Sequence, residues 1–174
     1  MAEKVILFTD GSSTVVMDEK KMKYGGIGIY CVNYDVCVFS KSYVGTDITN
    51  QRMELLACIE AIKKVYDFMV SKYTCKLWEI KIYTDSMYVI DSMEKYAPKW
   101  ILYGWHRCGN KKRVEISNLD LIKELYILYK TLPITFAHIE SHTKEPEKNT
   151  EKWDLWYGNK MADKLAVNAM KSGK

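Results

Sequence analysis

The sequence has few histidines, no closely spaced cysteine pair and no long apolar run. With three histidines and no Cys-x-x-Cys motif, a zinc site made of cysteine and histidine is not expected. The five cysteines are an odd number, which argues against a disulfide framework and favours buried free thiols. No apolar run approaches the roughly 20 residues of a membrane-spanning helix, and the N-terminus lacks the layout of a secretory signal. We therefore expect a soluble intracellular protein, either cytoplasmic or nuclear, without a membrane partner.

Internal repeats, low-complexity tracts and linkers rich in proline or glycine are also missing. The length of 174 residues therefore predicts one domain spanning 1–174, which we expect to be a monomer. With 48% apolar and 28% charged residues, the chain can bury a core, and this composition excludes a disordered or collagen-like protein.

Positive charge is concentrated in one segment, although the net charge is only +4. Residues 95–113, which we term the basic segment, carry no acidic side chain. Their six basic residues are Lys95, Lys99, Arg107, Lys111, Lys112 and Arg113. The rest of the chain has 20 basic and 22 acidic residues and is therefore mildly acidic. This distribution predicts a local contact with an anionic partner.

Hydrophobic patterning predicts an α/β fold. Strands are predicted over 4–10, 25–32, 36–43, 79–84 and 134–140. Helices are predicted over 50–71, 86–95, 118–132 and 158–171, with a further candidate over 100–105. A turn is expected at 10–13, and Pro98 is expected to break the helical pattern. Three consecutive antiparallel strands followed by strand–helix alternation predict a mixed sheet with helices on its faces.

The predicted apolar stripe of the first helix recurs every three or four residues, as expected for a helix that packs on a sheet. Its members are Leu55, Ile59, Ile62, Tyr66 and Met69.

Four acidic residues stand near the ends of predicted elements: Asp10, Glu54, Asp85 and Asp163. Each has a structural explanation, because acids stabilise the first turn of a helix and Asp-Gly or Asp-Ser is ordinary turn or cap chemistry. However, Asp10 and Asp85 both follow a threonine at the carboxyl end of a strand, where open α/β sheets place their sites. Clustered carboxylates repel one another, and hard divalent cations such as Mg²⁺ relieve that repulsion. A pair of such ions can support phosphodiester cleavage.

Six short motifs follow one another along the chain. They are 8–12 (FTDGS), 25–28 (GGIG), 49–55 (TNQRMEL), 83–86 (YTDS), 141–143 (SHT) and 158–166 (GNKMADKLA). Together they resemble the signatures of cellular ribonuclease H, in the order found in that family and over nearly the whole chain. The resemblance implies the ribonuclease H-like fold, with five strands in a mixed sheet flanked by helices. It also implies an endonuclease that hydrolyses the RNA strand of an RNA–DNA hybrid by a two-metal mechanism.

The resemblance also implies roles for individual residues. The catalytic and metal-binding acids are Asp10, Glu54, Asp85 and Asp163. They are expected to hold two Mg²⁺ ions, bridged by Asp10, with Mn²⁺ as a substitute. His142 matches the loop histidine that assists proton transfer or product release, and no hybrid-binding domain is expected before the catalytic one.

Contacts with the hybrid are expected at eight positions: Ser12, Asn50, Gln51, Trp105, Arg107, Lys111, Lys112 and Arg113. Ser12 and Asn50, with the backbone of Glu54, would contact the RNA 2′-hydroxyls, which distinguish RNA from DNA. The basic segment resembles the protrusion that grips the DNA strand, and its cations can neutralise phosphates. The alternative is a solvated charged helix whose aromatic residues belong to the core, and Trp100 fits that description better than Trp105.

The sequence departs from the family between His142 and Asp163. Their spacing of 21 residues is longer than the usual spacing in the family. The stretch 143–157 contains Trp153 and Trp156 and is interpreted either as a flap over the site or as an ordered surface loop.

Three alternatives stay open at this point. A DNA nuclease of the junction-resolving type shares the sheet and the acid cluster, and a non-catalytic module could bind hybrids with a retired site. The chain could also be the tail domain of a reverse transcriptase, although its own Met1 and its length favour a free-standing enzyme.

Overall fold

The structure of the protein, a computed structural model, describes residues 2–14, 19, 21–72, 77–107 and 114–174. One sheet has the strand order β3-β2-β1-β4-β5. Its strands are β1 (Glu3–Ser13), β2 (Lys23–Cys31), β3 (Phe39–Gly45), β4 (Trp78–Thr84) and β5 (Ile134–His138). The pairs β1–β2 and β2–β3 are antiparallel, whereas β1–β4 and β4–β5 are parallel. The predicted five-stranded mixed sheet is therefore confirmed.

Helices cover both faces of this sheet. They are α1 (Asn50–Lys72), α2 (Met87–Asp91), α3 (Ala97–Leu102), α4 (Leu119–Thr131) and α5 (Glu151–Ser172). Side chains of successive strand residues point to opposite faces, and the neighbouring glycines of β2 show which helix lies on which side. Gly25 faces Met53 of α1, whereas Gly26 faces Ala166 of α5. The main core is enclosed between the sheet and α1, α2 and α4.

The predicted apolar stripe of α1 is correct at four of its five positions. Leu55, Ile59, Ile62 and Met69 are buried, but Tyr66 is 44% exposed and lies outside the stripe. Val65 takes the buried place instead, because it follows Ile62 by three residues and precedes Met69 by four, which keeps it on the same helical face.

The turn predicted at 10–13 is wrong, because β1 continues through Asp10 to Ser13. Backbone pairing with β2 extends over this segment, from Asp10 opposite Gly28 to Ser13 opposite Gly25. The cross-strand ladder therefore outweighs the local turn preference of the Asp-Gly-Ser sequence.

Helical structure also passes through Pro98, where a break was predicted. Pro98 stands in the first turn of α3, directly after a π-helical turn over Ser92–Tyr96. A proline costs little there, because its fixed backbone angle and missing N–H suit the start of a helix. The helix ends at Leu102, so the further helix predicted over 100–105 is wrong beyond that residue.

Helix α5 begins at Glu151, seven residues before the predicted start at Gly158. Its N-cap is Thr150, whose hydroxyl accepts a hydrogen bond of 3.2 Å from the amide of Trp153. Gly158 therefore lies inside the helix. A glycine is needed at this position because the ring of Phe8 occupies the space that a β-carbon would need. The stretch predicted as a loop over 143–157 is therefore a loop only as far as Thr150.

A methyl group at Gly28 is expected to destabilise the packing of α5 on the sheet. A β-carbon at this position would collide with the backbone carbonyl of Ala162 and lie 2.6 Å from the amide nitrogen of Ala166. Because neither backbone group can rotate away, we expect Gly28→Ala to lower the free energy of unfolding by about 2 kcal/mol or more in urea denaturation. Gly45→Ala is the matched control, since its methyl group would meet the movable Asp47 side chain at 3.1 Å. An equal effect of the two substitutions would contradict this packing.

Candidate active site

Two acids meet at the centre of the sheet because β1 and β4 are parallel neighbours. Asp10 lies in β1, and Asp85 directly follows the last residue of β4. The carboxyl ends of parallel strands lie at the same edge of a sheet, as the sequence interpretation assumed.

The other two acids come from the helices on the two faces. At Gly11, the missing side chain lets the backbone of α1 approach β1, which brings the buried Glu54 beside Asp10. At Gly28, opposite Asp10, α5 approaches β2 in the same way and presents Asp163 to the site. Both approaches require glycine, because a β-carbon at either position would collide with the backbone of the facing helix.

Carboxylate oxygens of Asp10, Glu54 and Asp85 lie within 4.8 Å of one another. Asp163 lies outside this tight group but lines the same open cavity of about 350 Å³ together with the other three acids. Its negative charge raises the pKa of both Asp10 and Asp85. The structure therefore brings all four predicted acids together at one site.

Burial and mutual repulsion raise the pKa values of the carboxyl groups in this cluster. Burial, followed by the charges of Asp85 and Asp163, raises the pKa of Asp10 to about 7. Burial and the charge of Asp10 raise the pKa of Glu54 well above its ordinary value. Burial also raises the pKa of Asp85, although a hydrogen bond from Ser141 opposes the shift.

A divalent cation fits this arrangement of donors. Among the described residues, the buried Oε2 atom of Glu54 has no hydrogen-bond partner. An unpartnered buried carboxylate oxygen next to further carboxylates carries a desolvation cost that an oxygen-binding cation would offset.

His142 stands at the rim of the acid cavity. It lies four residues beyond the end of β5, is exposed and has a left-handed backbone conformation with φ of 54°. A protonated imidazole here would oppose the rise in the pKa of Asp85 that burial causes. Strand β5 ends at His138, earlier than the predicted Glu140, and His138 is exposed at that end.

Three of the predicted hybrid contacts line the acid cavity: Ser12 in β1 and Asn50 and Gln51 in the first turn of α1. Arg52, the next residue of the motif, points elsewhere. Its guanidinium donates two hydrogen bonds, of 3.0 and 2.8 Å, to the carboxylate of Asp120 and so joins the start of α1 to α4.

The remaining predicted contacts belong to the basic segment, and of these Trp105 and Arg107 do not line the acid cavity. Trp105 packs edge-on against Tyr126 of α4, with Lys123 above its ring. The guanidinium of Arg107 lies 6.0 Å from the ring of Trp100, which packs against the core. The predictions for Lys111, Lys112 and Arg113 lie outside the described residues.

The sequence interpretation gave no role to several lining residues, among them Ser141, Asn159, Lys160 and Trp156. Ser141 supports Asp85 through a hydrogen bond, and Asn159, Lys160 and Trp156 line a recess beside the acids. Ser141, Asn159 and Lys160 stand inside two of the quoted motifs, which also contain the predicted site residues His142 and Asp163. Trp156 could have been found from Thr150 and Glu151, a hydroxyl cap followed by an acid, which indicates a helix start before Gly158.

Comparisons with known proteins agree with this geometry. The family model for RNase H matches residues 2–171. The chain is 35% identical over 127 residues to the ribonuclease H of Syntrophomonas wolfei subsp. wolfei, covering 72% of each chain. It is 30% identical over 169 residues to the ribonuclease H of Ruthia magnifica subsp. Calyptogena magnifica, covering 96% of this chain and 95% of that one.

Among solved structures, the PFV RNase H domain superposes with a TM-score of 0.67 and 26% identity, covering 97% of this chain and 94% of that one. LC9-RNase H1, a type 1 RNase H with the type 2 active-site motif, superposes with a TM-score of 0.65. At 20% identity, over 100% of this chain and 75% of that one, the second likeness shows the fold alone.

In the described part of the chain, no helix has the length and apolar character required to cross a membrane. The family match covers nearly the whole sequence, and the mixed sheet of antiparallel and parallel strands agrees with the predicted fold class. The chain belongs to the ribonuclease H family and is a ribonuclease H enzyme.

Proposed function

We propose that this ribonuclease H hydrolyses the RNA strand of RNA–DNA hybrids at the four-acid cavity, using two divalent cations. Mg²⁺ is the proposed ion, with Mn²⁺ as a substitute, and residues 1–174 form a single catalytic domain. The observation that carries the proposal is the cluster of Asp10, Glu54 and Asp85 oxygens within 4.8 Å, with Asp163 on the same cavity.

In this proposal the four acids hold the cations and keep them at the scissile phosphate. Bound cations of this kind activate water and stabilise the leaving oxygen of a phosphodiester. Asp10 is buried and interacts with each of the other three acids, so it would be the central residue in holding the cations. Ser141 orients the carboxylate of Asp85 through its hydrogen bond.

Recognition of the hybrid is divided between two surfaces. Ser12, Asn50 and Gln51 border the acids and offer hydroxyl and amide groups to the RNA 2′-hydroxyls. The basic segment, with Arg107 and Trp105, offers cations and an aromatic side chain to the DNA strand.

His142 is proposed to move a proton or to help the product leave, because it is exposed at the cavity rim beside Asp85. We expect His142→Ala to lower kcat about 100-fold, the lower end of what a positioned acid–base group supplies. Multiple-turnover assays with saturating hybrid measure kcat, and single-turnover assays then separate a slower cleavage step from slower product release. His138→Ala, a substitution of the exposed histidine at the end of β5, is the control and should leave kcat unchanged. Equal activity of both variants would remove His142 from the reaction.

The substrate class is tested by comparing one preparation on three substrates: an RNA–DNA hybrid, duplex DNA and a four-way DNA junction. The proposal predicts Mg²⁺-dependent cleavage of the RNA strand of the hybrid and no cleavage of the other two. Chelation should stop the reaction, and renewed Mg²⁺ should restore it. Junction cleavage would favour the DNA nuclease alternative, and hybrid binding without turnover would favour the non-catalytic one.

A further inference from the structure

Residues 156–160 of α5 form one wall of a second recess, and Trp156 among them was predicted to belong to a loop. This recess has a volume of about 250 Å³ and shares Asp85, His142 and Asp163 with the acid cavity. Its remaining lining residues are Glu140, Ser141, Thr143, Trp156, Asn159 and Lys160. A molecule that occupies the acid cavity can therefore extend into the recess without leaving the site.

Hydrogen bonds from two indole groups fix this wall to the loop that carries His142. Trp156 Nε1 donates a hydrogen bond of 3.1 Å to the carbonyl oxygen of Thr143. One turn earlier, Trp153 Nε1 donates one of 3.1 Å to Oε1 of Glu145. The ring of Trp156 is thus held in a defined orientation beside the recess.

Lys160 places a positive charge on this fixed ring. Its Nζ atom lies 4.5 Å from the centroid of the Trp156 ring, a cation–π contact between residues one helical turn apart. In the described part of the chain, Lys160 makes no ion pair with an acidic side chain. The ammonium group therefore keeps its charge available at the edge of the recess.

We infer that Lys160 binds a phosphate of the RNA strand next to the scissile phosphate, with Trp156 as the residue that positions it. The inference rests on the proposed function, because the strand held by the acids is then RNA. An adjacent phosphate must lie within one nucleotide of the acids, and the recess continues directly from Asp85 and Asp163. Asn159 and Thr143 line the same recess, and the amide of the first and the hydroxyl of the second are further hydrogen-bond donors for this phosphate.

The binding experiment uses an Asp10→Asn background, so that the hybrid is bound without being cleaved. In this background, we expect Lys160→Gln to raise the Kd for an RNA–DNA hybrid about five- to tenfold. The slope of log Kd against log salt concentration should decrease by about one, as for the loss of one phosphate contact. Lys164→Gln is the matched control, because Lys164 is exposed on the same helix and does not line the recess. It should change Kd less than twofold.

The position of the phosphate is tested with a series of hybrids that each carry one neutral methylphosphonate linkage. The wild-type recess should lose affinity when the neutral linkage stands beside the scissile one in the RNA strand, and Lys160→Gln should be insensitive to that replacement. Sensitivity only to DNA-strand linkages would overturn the assignment to RNA.

The positioning role of Trp156 is tested by two substitutions. Trp156→Leu should weaken hybrid binding in the same way as Lys160→Gln, whereas Trp156→Phe keeps an aromatic face and should retain most of the affinity. Equal losses for both would overturn the cation–π contact as the cause.

Failure of this inference can be distinguished from failure of the proposed function. If the wild-type enzyme cleaves the hybrid but Lys160→Gln and Lys164→Gln have the same Kd and salt slope, the phosphate site is refuted and the proposed function stands. If the wild-type enzyme does not cleave any hybrid with Mg²⁺, the proposed function fails regardless of how Lys160 behaves.

Discussion

Replacing Asp10 with asparagine is expected to lower kcat for hybrid cleavage by about 1,000-fold or more, the largest effect of any single substitution considered. Asp10 is surrounded by the other three acids, and its carboxylate oxygens are within reach of those of Glu54 and Asp85. Asparagine keeps the size of the side chain but removes one negative charge, so the cations lose their central ligand. Cleavage of a labelled hybrid at saturating Mg²⁺ measures the effect.

The matched control for this prediction is Asp67→Asn, which removes a carboxylate from the exposed face of α1. It should leave kcat unchanged. An Asp10→Asn variant that unfolds cooperatively and yet retains more than a tenth of the wild-type kcat would contradict the assignment of Asp10.

The same substitution is expected to make the cation-free protein more stable at pH 8. The pKa of Asp10 is about 7 in the folded protein, against an ordinary value of 3.8. Between these two values the folded state keeps a proton that the unfolded chain has released. The free energy of unfolding therefore falls as pH rises through this range and is lowest above pH 7. An asparagine side chain has no charge to accommodate, so we expect Asp10→Asn to be more stable by about 2 to 4 kcal/mol at pH 8.

The difference in stability between the wild-type protein and Asp10→Asn leads to two further expected results. It should disappear near pH 4, where the folded wild-type protein carries no charge at this carboxyl, and Asp67→Asn should not show it at either pH. Saturating Mg²⁺ should raise the Tm of the wild-type protein at pH 8 by more than that of Asp10→Asn. A cation-free wild-type protein that gains stability between pH 5 and pH 8 relative to Asp10→Asn would contradict the electrostatic description of the site.

The positions of some of the four acids could be predicted from the local sequence, and those of the others could not. The approach of Asp10 to Asp85 follows from two strands with matching ends, because parallel neighbours share one edge of the sheet. Glu54 and Asp163 depend on how closely α1 and α5 approach the sheet at Gly11 and Gly28. Such helix–sheet distances are set by tertiary packing, and only the family resemblance assigned these two acids to the site.

Two of the wrong boundaries have different physical origins. The Asp-Gly-Ser sequence that begins at Asp10 is typical of a turn, yet its backbone is paired with β2 as far as Ser13. A break was predicted at Pro98, although the first turn of a helix accommodates a proline. At Asp10 the local turn preference was outweighed by pairing with β2, whereas at Pro98 the start of a helix itself accommodates the residue.

The extension of α5 shows the opposite case, in which a local signal was available. Thr150 and Glu151 have the character of a helix start, but Gly158 suggested a later one. The structural role of that glycine is to make room for Phe8 of β1, a contact between residues far apart in sequence. Trp156 and Lys160 therefore lie on a rigid helix beside the acids and not on a loop.

The central claim is that four carboxylates hold a pair of divalent cations against the RNA strand of a hybrid. A crystal structure of the enzyme with a hybrid and Ca²⁺ tests it most directly. We predict two ions about 3.5 to 4 Å apart, both in contact with Asp10, with the remaining ligands drawn from Glu54, Asp85, Asp163 and the RNA phosphate. A hybrid bound elsewhere, or ions that leave Asp10 without contact, would contradict the claim.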